Sequence, residues 1–167
     1  MTRRQLMTLL SALGIGAPAA NAATASEAAP AAADGTAGRL QLTEAQWKTR
    51  LSPAQYRVLR EAGTEPAGSS PLDGEKRRGV FQCAGCEQPL FASEAKFDSG
   101  TGWPSFHTAL PGALGTKTDY KMILPRTEYH CSRCNGHQGH VFNDGPRPTG
   151  KRFCNNGVAL RFVPEAA

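Results

Sequence analysis

The polar and apolar positions between residues 43 and 63 predict two short helices. Thr43 and Ser52 are each followed three residues later by glutamine, which is the spacing of a capping box, where side chains and backbone amides at a helix start satisfy one another. Pro53 suits the first helical position, because a backbone N–H, which proline lacks, has no partner within the helix there. We expect the second helix to end at Gly63, since glycine commonly follows a last helical turn.

Beyond Gly79 the pattern changes to short apolar runs separated by glycine, proline and polar turns, which is typical of strands. No long helical pattern alternates with these runs, so a parallel sheet is not indicated. We therefore predict a mainly β (α+β) fold of antiparallel strands with its helices at the N-terminus. The predicted strands are GVFQC, PLFAS, KMILP, EYHCS, HVFND, KRFCN and VALRF.

Residues 1–22 have the composition of an export signal. A basic start is followed by an apolar run from Leu6 to about Ile15 and by small residues at the end. Arg3 and Arg4 beside that run resemble a twin-arginine signal, although general secretory signals also contain such pairs. Either type of signal predicts an exported, periplasmic protein. The run is shorter than the ~20 residues that a spanning helix needs, so we expect no membrane span.

Residues 23–39 are rich in alanine, proline and glycine and predict a flexible tether. The remaining residues, 40–165, suffice for one folded domain. The formal net charge of +5 includes the two arginines of the signal. Such a mild charge, spread along the chain, predicts no nucleic-acid partner.

Four cysteines form two CxxC pairs, which are Cys83 with Cys86 and Cys131 with Cys134, separated by 44 residues. Two such turns direct four sulfurs at one point, which predicts one tetrahedral zinc per chain. In an oxidising compartment the same cysteines could form two disulfides, and a single CxxC could be a redox dithiol. Four thiolates leave no open coordination position, so the predicted zinc is structural.

The fifth cysteine, Cys154, lies in the predicted strand KRFCN. Strand alternation places Arg152 and Cys154 on one face and Phe153 on the other, and Asn156 joins the first face if the strand continues. A guanidinium favours the thiolate, which is the attacking form, so Cys154 is a candidate nucleophile. An inert buried thiol is the alternative interpretation.

Four further side chains are candidates for proton transfer or substrate contact. His137 and His140 can exchange protons near neutral pH, and Asp144 shares a face with His140 if HVFND is a strand. Each histidine taken alone is more often structural, and His137 could compete as a zinc ligand although four thiolates already saturate that site. Trp103, between a glycine and a proline, is either a lid on the core or a surface for a small apolar group.

Taken in order, the motifs CAGC, SGTGWPSF, CSRC, GHQGHVFNDGP and KRFCNNGVALRF resemble the B-type methionine sulfoxide reductase family over about residues 40–162. The resemblance implies two antiparallel β-sheets, a zinc held by the two CxxC pairs, and reduction of methionine-R-sulfoxide in proteins or peptides. It further implies that Cys154 is the nucleophile, that Trp103 contacts the substrate methyl, and that the polar side of the site is formed by His137, His140, Asp144, Arg152 and Asn156.

The chain departs from the family pattern at two places. Thr101 stands where many members have a cysteine that resolves the sulfenic acid, so we expect an external thiol or a thioredoxin-like donor to reduce Cys154. Asn155 and Gly157 also depart from the pattern, and we expect them to loosen the turn beside Cys154. An inactive zinc module that binds oxidised-methionine peptides, or a thiol-disulfide oxidoreductase using one CxxC, are the alternatives. We expect a monomer.

Overall fold

The computed structural model describes residues 38–121 and 124–166. The predicted export signal and nearly all of the predicted tether lie outside the described residues. Among the described residues, no helix combines the length and apolar character that a membrane span requires.

Two short helices begin the described domain, α1 at Glu44–Arg50 and α2 at Pro53–Leu59. Both predicted capping boxes are present, with Thr43 capping α1 and Ser52 capping α2. The predicted end of the second helix was wrong, because α2 ends at Leu59 and not at Gly63. The chain leaves the helix through a turn in which Ala62 has a φ of 51°, and left-handed backbone of this kind stops a helix.

Nine strands form two antiparallel sheets in the described part of the chain, which confirms the predicted mainly β fold. The smaller sheet has the order β2-β1-β9, and the larger has the order β3-β4-β8-β7-β6-β5. The strands are β1 Gly79–Cys83, β2 Pro89–Ala92, β3 Lys96–Phe97, β4 Ser105–Phe106, β5 Leu114–Asp119, β6 Arg126–Cys131, β7 His137–Phe142, β8 Arg152–Asn155 and β9 Leu160–Pro164.

The sequence pattern missed β3, β4 and β5 and placed another strand wrongly. β3 and β4 have only two residues each. β5 is an edge strand with an exposed, polar middle, so it lacks the apolar alternation that marks a strand. The predicted strand KMILP lies partly outside the described residues, and Lys121, Leu124 and Pro125 are not in a strand. The strand predicted at HVFND begins earlier, at His137, and ends at Phe142.

Aromatic rings from both sheets form the core that supports β8. Phe91 of the smaller sheet stacks on Phe106 of the larger sheet, with ring centroids 4.1 Å apart. Phe153 of β8 packs edge-on against Tyr129, at 5.3 Å. Because Phe153 faces this core, its neighbours Arg152 and Cys154 project from the other face of the sheet.

Candidate functional site

Cys154 opens into a cavity of about 200 Å³ at the surface of the larger sheet. Of the predicted site residues, Trp103, His140, Arg152, Cys154 and Asn156 line this cavity. The remaining lining residues are Thr64, Thr101, Arg126, Gly139, Phe142 and Asn155. We call it the Cys154 cavity.

The pairing of β7 with β8 brings an imidazole to the cysteine. His140 lies directly opposite Cys154 in the antiparallel register. The neighbouring Gly139 allows the strands to approach, because a Cβ at that position would lie 1.9 Å from the carbonyl oxygen of Cys154. A base and a thiol on adjacent strands form the pairing that activates a nucleophile.

Two opposing effects set the pKa of the Cys154 thiol. Burial raises its pKa, whereas the Arg152 guanidinium and the Thr101 hydroxyl lower it, and the net result is a raised pKa. Arg152 therefore favours the thiolate as predicted, but desolvation raises the thiol pKa by more than the other groups lower it. In the resting protein at neutral pH the cysteine is a thiol, and it must lose its proton before it can attack.

His140 is held by a carboxylate from β5. Its Nε2 lies 2.7 Å from Oδ2 of Asp119, and the Arg126 guanidinium donates to the same oxygen at 3.0 Å. The backbone N–H of Lys121, followed by His140 and Arg126, holds the pKa of Asp119 well below its usual range. Asp119 is therefore a stable anion that can orient the imidazole.

His137 forms a second histidine–carboxylate pair, next to His140. Its Nδ1 is 3.2 Å from Oε1 of Glu128, and the same oxygen forms an ion pair with Lys117. The angles are unsuitable for a hydrogen bond, and among the described residues neither ring nitrogen has such a partner. Burial lowers the pKa of His137 although Glu128 raises it. The ring stands edge-on to His140 at 5.5 Å and does not line the cavity.

Asp144 does not lie behind either histidine, which corrects the predicted arrangement. It follows the end of β7, and its carboxylate accepts two hydrogen bonds from Arg152, at 2.9 and 2.8 Å. The guanidinium carbon of Arg152 also lies 4.4 Å from the centre of the Phe142 ring. Asp144 and Phe142 together fix the orientation of the cation beside Cys154.

Trp103 also lines the Cys154 cavity. The indole is half-buried, and its Nε1 donates to the backbone carbonyl of Glu65 at 3.2 Å. Of the two interpretations of this residue, the structure supports a ring surface that faces the cavity, since Trp103 is among its lining residues. An indole with its polar atom satisfied offers a flat apolar face.

The four other cysteines meet where β1 and β6 end. Their sulfurs lie within 4.8 Å of one another and all four residues are buried, which defines the cysteine cluster. The two CxxC turns match, because Glu87 donates its N–H to the Cys83 carbonyl and Asn135 donates to Cys131. Both donors have positive φ, 64° and 56°.

The cysteine cluster fits a metal ion with four thiolate ligands. The Cys83 and Cys134 sulfurs are 3.7 Å apart and those of Cys86 and Cys131 are 3.4 Å apart. Tetrahedral zinc with Zn–S bonds of about 2.3 Å separates its sulfurs by about 3.8 Å. His137 is not part of this group.

The two helices cover the cysteine cluster. Arg50 at the end of α1 donates to the Gly85 carbonyl at 2.6 Å, and Arg60 after α2 donates to the Cys134 carbonyl at 2.9 Å. Trp47 of α1 lies against the same turn, because its ring is 3.6 Å from where a Cβ on Gly85 would be. The N-terminal arm therefore packs on the cluster and not on the Cys154 cavity.

Comparison with known proteins identifies the family. The model of the SelR domain matches residues 51–164. The chain belongs to the SelR family. It is 54% identical over 124 residues to the peptide methionine sulfoxide reductase MsrB of Thiobacillus denitrificans, covering 74% of this chain and 94% of the relative. It is 49% identical over 127 residues to the protein of the same name from Methanosarcina barkeri, covering 75% and 89%.

Among solved structures, the Mis18 Yippee-like domain matches with a TM-score of 0.43 and 21% identity, over 55% of this chain and all of that domain. At these values the likeness is too remote to bear on fold or function.

The turn after Cys154 in this SelR-family chain is closely packed, whereas the expectation from Asn155 and Gly157 was a loose turn. Asn155 is fully buried, and its Oδ1 accepts from the Tyr129 hydroxyl at 2.7 Å. A Cβ on Gly157 would lie 1.9 Å from the Ser70 hydroxyl oxygen, so the backbone is tightly packed there. Asn156 does not continue β8, because it lies beyond the last strand residue and donates to the Gln138 carbonyl.

Sequence reasoning missed two side chains that matter to this SelR site, Asp119 and Arg126. They lie across from each other in the β5–β6 register. Neither belongs to a recognisable motif, and β5 was not predicted at all. The signal that could have revealed them is the cross-strand register itself, which requires the missing strand.

Proposed function

We propose that this protein reduces methionine-R-sulfoxide in proteins or peptides to methionine, as the names of its SelR-family relatives suggest. The observation that carries the proposal is the placement of Cys154 opposite His140 in one small cavity that Trp103 also lines. A thiol, a proton-transferring imidazole and an apolar ring surface are what attack on a methyl sulfoxide requires.

The reaction begins with removal of the thiol proton. His140 accepts this proton from Cys154, and the Asp119 carboxylate stabilises the imidazolium that forms. The Cys154 thiolate then attacks the sulfoxide sulfur while His140 returns a proton to the sulfoxide oxygen. The protonated oxygen then passes from the substrate sulfur to the Cys154 sulfur, so the substrate sulfur–oxygen bond and the sulfur–sulfur bond made by the attack both break. Methionine leaves, and Cys154 becomes a sulfenic acid.

The substrate methyl packs on the indole face of Trp103, and the sulfoxide oxygen points toward the polar wall. Arg152 lies beside Cys154 on that wall, and the buried Asn156 completes it. His137 supports this wall from below through its contact with His140. Asp144 acts on the wall through Arg152, whose guanidinium it holds. The R preference follows from the family resemblance.

The cysteine cluster supplies a structural zinc site in this proposal. Cys83, Cys86, Cys131 and Cys134 would hold one zinc ion per chain, which stabilises the ends of β1 and β6 without entering the reaction. The cluster is separate from the lining of the Cys154 cavity.

An external thiol or a thioredoxin-like donor restores Cys154. The chain has five cysteines, and four of them lie together in the cluster, while Thr101 lines the cavity where a resolving thiol would be placed. Two thiol groups reduce the sulfenic acid, giving the Cys154 thiol, a disulfide of the donor and water.

Export to the periplasm belongs to the same proposal. It rests on the composition of residues 1–22, and a twin-arginine route would let the zinc bind while the thiols are still reduced. Fractionation of cells that make the full chain tests it, and replacement of Arg3 and Arg4 by lysine distinguishes the two routes, since a twin-arginine substrate would then stay in the cytoplasm.

Turnover of separate R and S epimers of a methionine sulfoxide peptide with excess dithiol tests the reaction. Wild-type protein is expected to reduce the R epimer only, and Cys154→Ser to reduce neither while keeping its zinc and its unfolding midpoint. If folded, zinc-loaded wild type bound the peptide without turnover, the inactive module would be the correct interpretation.

Trapping the intermediate tests the direct reduction of Cys154. One equivalent of substrate without reductant, followed by dimedone, should label Cys154 alone and leave the four cluster cysteines unmodified, as read by mass spectrometry. A disulfide between Cys154 and any cluster cysteine would show that the chain resolves its own intermediate.

A further inference from the structure

A buried carboxylate, Glu65, lies next to the Cys154 cavity without lining it. Glu65 is in the loop between α2 and β1, and only 8% of its surface is exposed. Among the described residues it pairs with no lysine, arginine or histidine. A buried charge without a cation is costly unless hydrogen bonds satisfy it.

Backbone amides from the turn after Cys154 satisfy the Glu65 carboxylate. Its Oε1 accepts from the N–H of Gly157, and its Oε2 accepts from the N–H of Val158 at 2.9 Å. These two amides open a 3₁₀ turn at Gly157–Ala159, which begins three residues after Cys154. The side chain therefore fixes the segment that follows the proposed nucleophile.

The main chain of Glu65 binds two other residues of the site. Its N–H donates to Oδ1 of Asn156 at 3.0 Å, and its carbonyl accepts from Nε1 of Trp103 at 3.2 Å. Trp103 and Asn156 lie on different chain segments, and Glu65 is hydrogen-bonded to both. One residue thus joins the indole side of the cavity to its cysteine side.

The loop that carries Glu65 is itself held against the Trp103 segment. Gly68 donates its N–H to the Gly102 carbonyl at 2.7 Å. A Cβ on Gly102, whose φ is 83°, would lie 2.8 Å from the Gly68 nitrogen, so this approach needs glycine. Movement of Glu65 would therefore be transmitted to Trp103 through two contacts.

We infer that Glu65 is a positioning residue of this site, which sets the separation between Trp103 and the turn after Cys154. The inference rests on the proposed reduction of methionine sulfoxide. It gives Glu65 no contact with the substrate, and its effect passes through Trp103, Asn156 and the turn. Reacting groups must be held within about 0.5 Å of their productive positions, and a displacement of about 1 Å can cost about a hundredfold in rate.

The isosteric substitution Glu65→Gln tests this role. The glutamine amide must point its NH₂ group at one of two backbone N–H donors, so one hydrogen bond becomes a repulsion while side-chain volume is unchanged. We expect kcat/KM for a methionine-R-sulfoxide peptide to fall at least tenfold, mostly through KM, because the surface for the substrate methyl is displaced. Alkylation of Cys154 by iodoacetamide should stay within twofold of wild type.

Two controls separate positioning from stability. Glu94→Gln makes the same chemical change at an exposed carboxylate in the short 3₁₀ turn between β2 and β3, and it should leave KM unchanged. Leu51→Ala destabilises the core away from the cavity, and should lower the unfolding midpoint without changing KM well below that midpoint. A Glu65→Gln enzyme with a lowered midpoint and wild-type KM would show a structural role only and overturn the inference.

A measurement on the wild-type protein covers the case in which Glu65→Gln does not fold. Hydrogen exchange followed by NMR should show the Gly157 and Val158 amides and the Trp103 indole N–H exchanging slowly, with one common opening rate. Independent or fast exchange of the three hydrogens would overturn the inference. If the wild-type protein showed no turnover, both the proposed function and this role of Glu65 would be wrong. If the wild type were active and Glu65→Gln had the same KM, only the role of Glu65 would be wrong.

Discussion

The cysteine cluster and the Cys154 cavity place the same side chain in opposite surroundings. In the cluster, the four buried sulfurs lie within 4.8 Å of one another, and two matched turns at the ends of β1 and β6 present them. In the cavity, one half-buried cysteine faces a guanidinium, a hydroxyl and an imidazole. The first arrangement leaves nothing free to react, and the second leaves the thiol open to a small molecule.

The two regions also differ in how far apart in the sequence their residues lie. Each half of the cluster is a four-residue motif that forms its own turn, so only the meeting of two turns requires the fold. The cavity combines residues from β6, β7 and β8 and from the loops before β1 and β4, and Asp119 of β5 holds one of them, His140. Stability is therefore concentrated in a local motif, whereas reactivity depends on strand register.

Loss of the metal ligands should have the largest effect. Cys83→Ser, or removal of the ion by a chelator, is expected to unfold the domain, since a four-thiolate zinc site contributes on the order of 10 kcal/mol, which is comparable to the stability of a whole domain. Circular dichroism and zinc analysis measure the outcome. Cys154→Ser is the matched control, and it should keep both zinc and midpoint.

A metal-free Cys83→Ser protein with a wild-type unfolding midpoint would contradict this division of roles. It would mean that the aromatic core alone holds the two sheets together.

Asp119→Asn should have the next largest effect, and it acts on the cavity. Loss of the charge removes the anion that holds His140 and Arg126, so turnover should fall about a hundredfold, near the lower limit of what general acid–base catalysis contributes. The free energy of unfolding should fall by about 1–3 kcal/mol because two donors lose a charged acceptor. Steady-state kinetics and urea unfolding measure both.

Asp144→Asn is the informative control for that prediction, because the sequence pattern favoured Asp144 as the partner of the histidines. Asp144 is 60% exposed and holds only Arg152. Its substitution should reduce turnover less than Asp119→Asn does. The reverse order would show that the histidines depend on Asp144 after all.

This contrast also explains what the sequence could predict. Both capping boxes, the position of β1 and the meeting of four cysteines follow from motifs of a few residues, and the structure confirms each of them. The partners of His140 and His137 could not be found in this way. They are presented by β5 and β6, and β5 is an exposed polar edge strand whose pattern resembles a loop.

The turn after Cys154 shows a second limit of sequence reasoning. Asparagine and glycine beside a cysteine suggest a loose turn when only local conformational preference is considered. The structure buries Asn155 and Asn156 and packs Gly157 against Ser70. The partners lie well outside the turn: Tyr129 is 26 residues from Asn155, and the Glu65 hydrogen bonds to Asn156 and Gly157 span 91 and 92 residues. Long-range packing of this kind leaves no local signal.

Arg152→Gln should have a smaller effect, on thiol reactivity. Burial already raises the Cys154 pKa, and Arg152 opposes that rise, so removing the guanidinium should raise the pKa further. A thiol with a raised pKa has less thiolate at neutral pH and reacts faster only as the pH increases. The iodoacetamide rate at pH 7 should therefore fall several-fold, and its pH profile should move upward. Peptide mass spectrometry of zinc-loaded protein resolves Cys154 from the cluster.

Thr101→Val should produce the smallest effect, in the same direction. The Thr101 hydroxyl lowers the Cys154 pKa by hydrogen bonding, after the Coulombic effect of Arg152, and valine keeps the shape while removing the donor. The pH profile of Cys154 alkylation should move upward by less than in Arg152→Gln, with unchanged zinc content. A larger shift than that of Arg152→Gln would mean that the hydroxyl, and not the cation, is the main stabiliser of the thiolate. Thr101 would then itself tune the reactivity of Cys154.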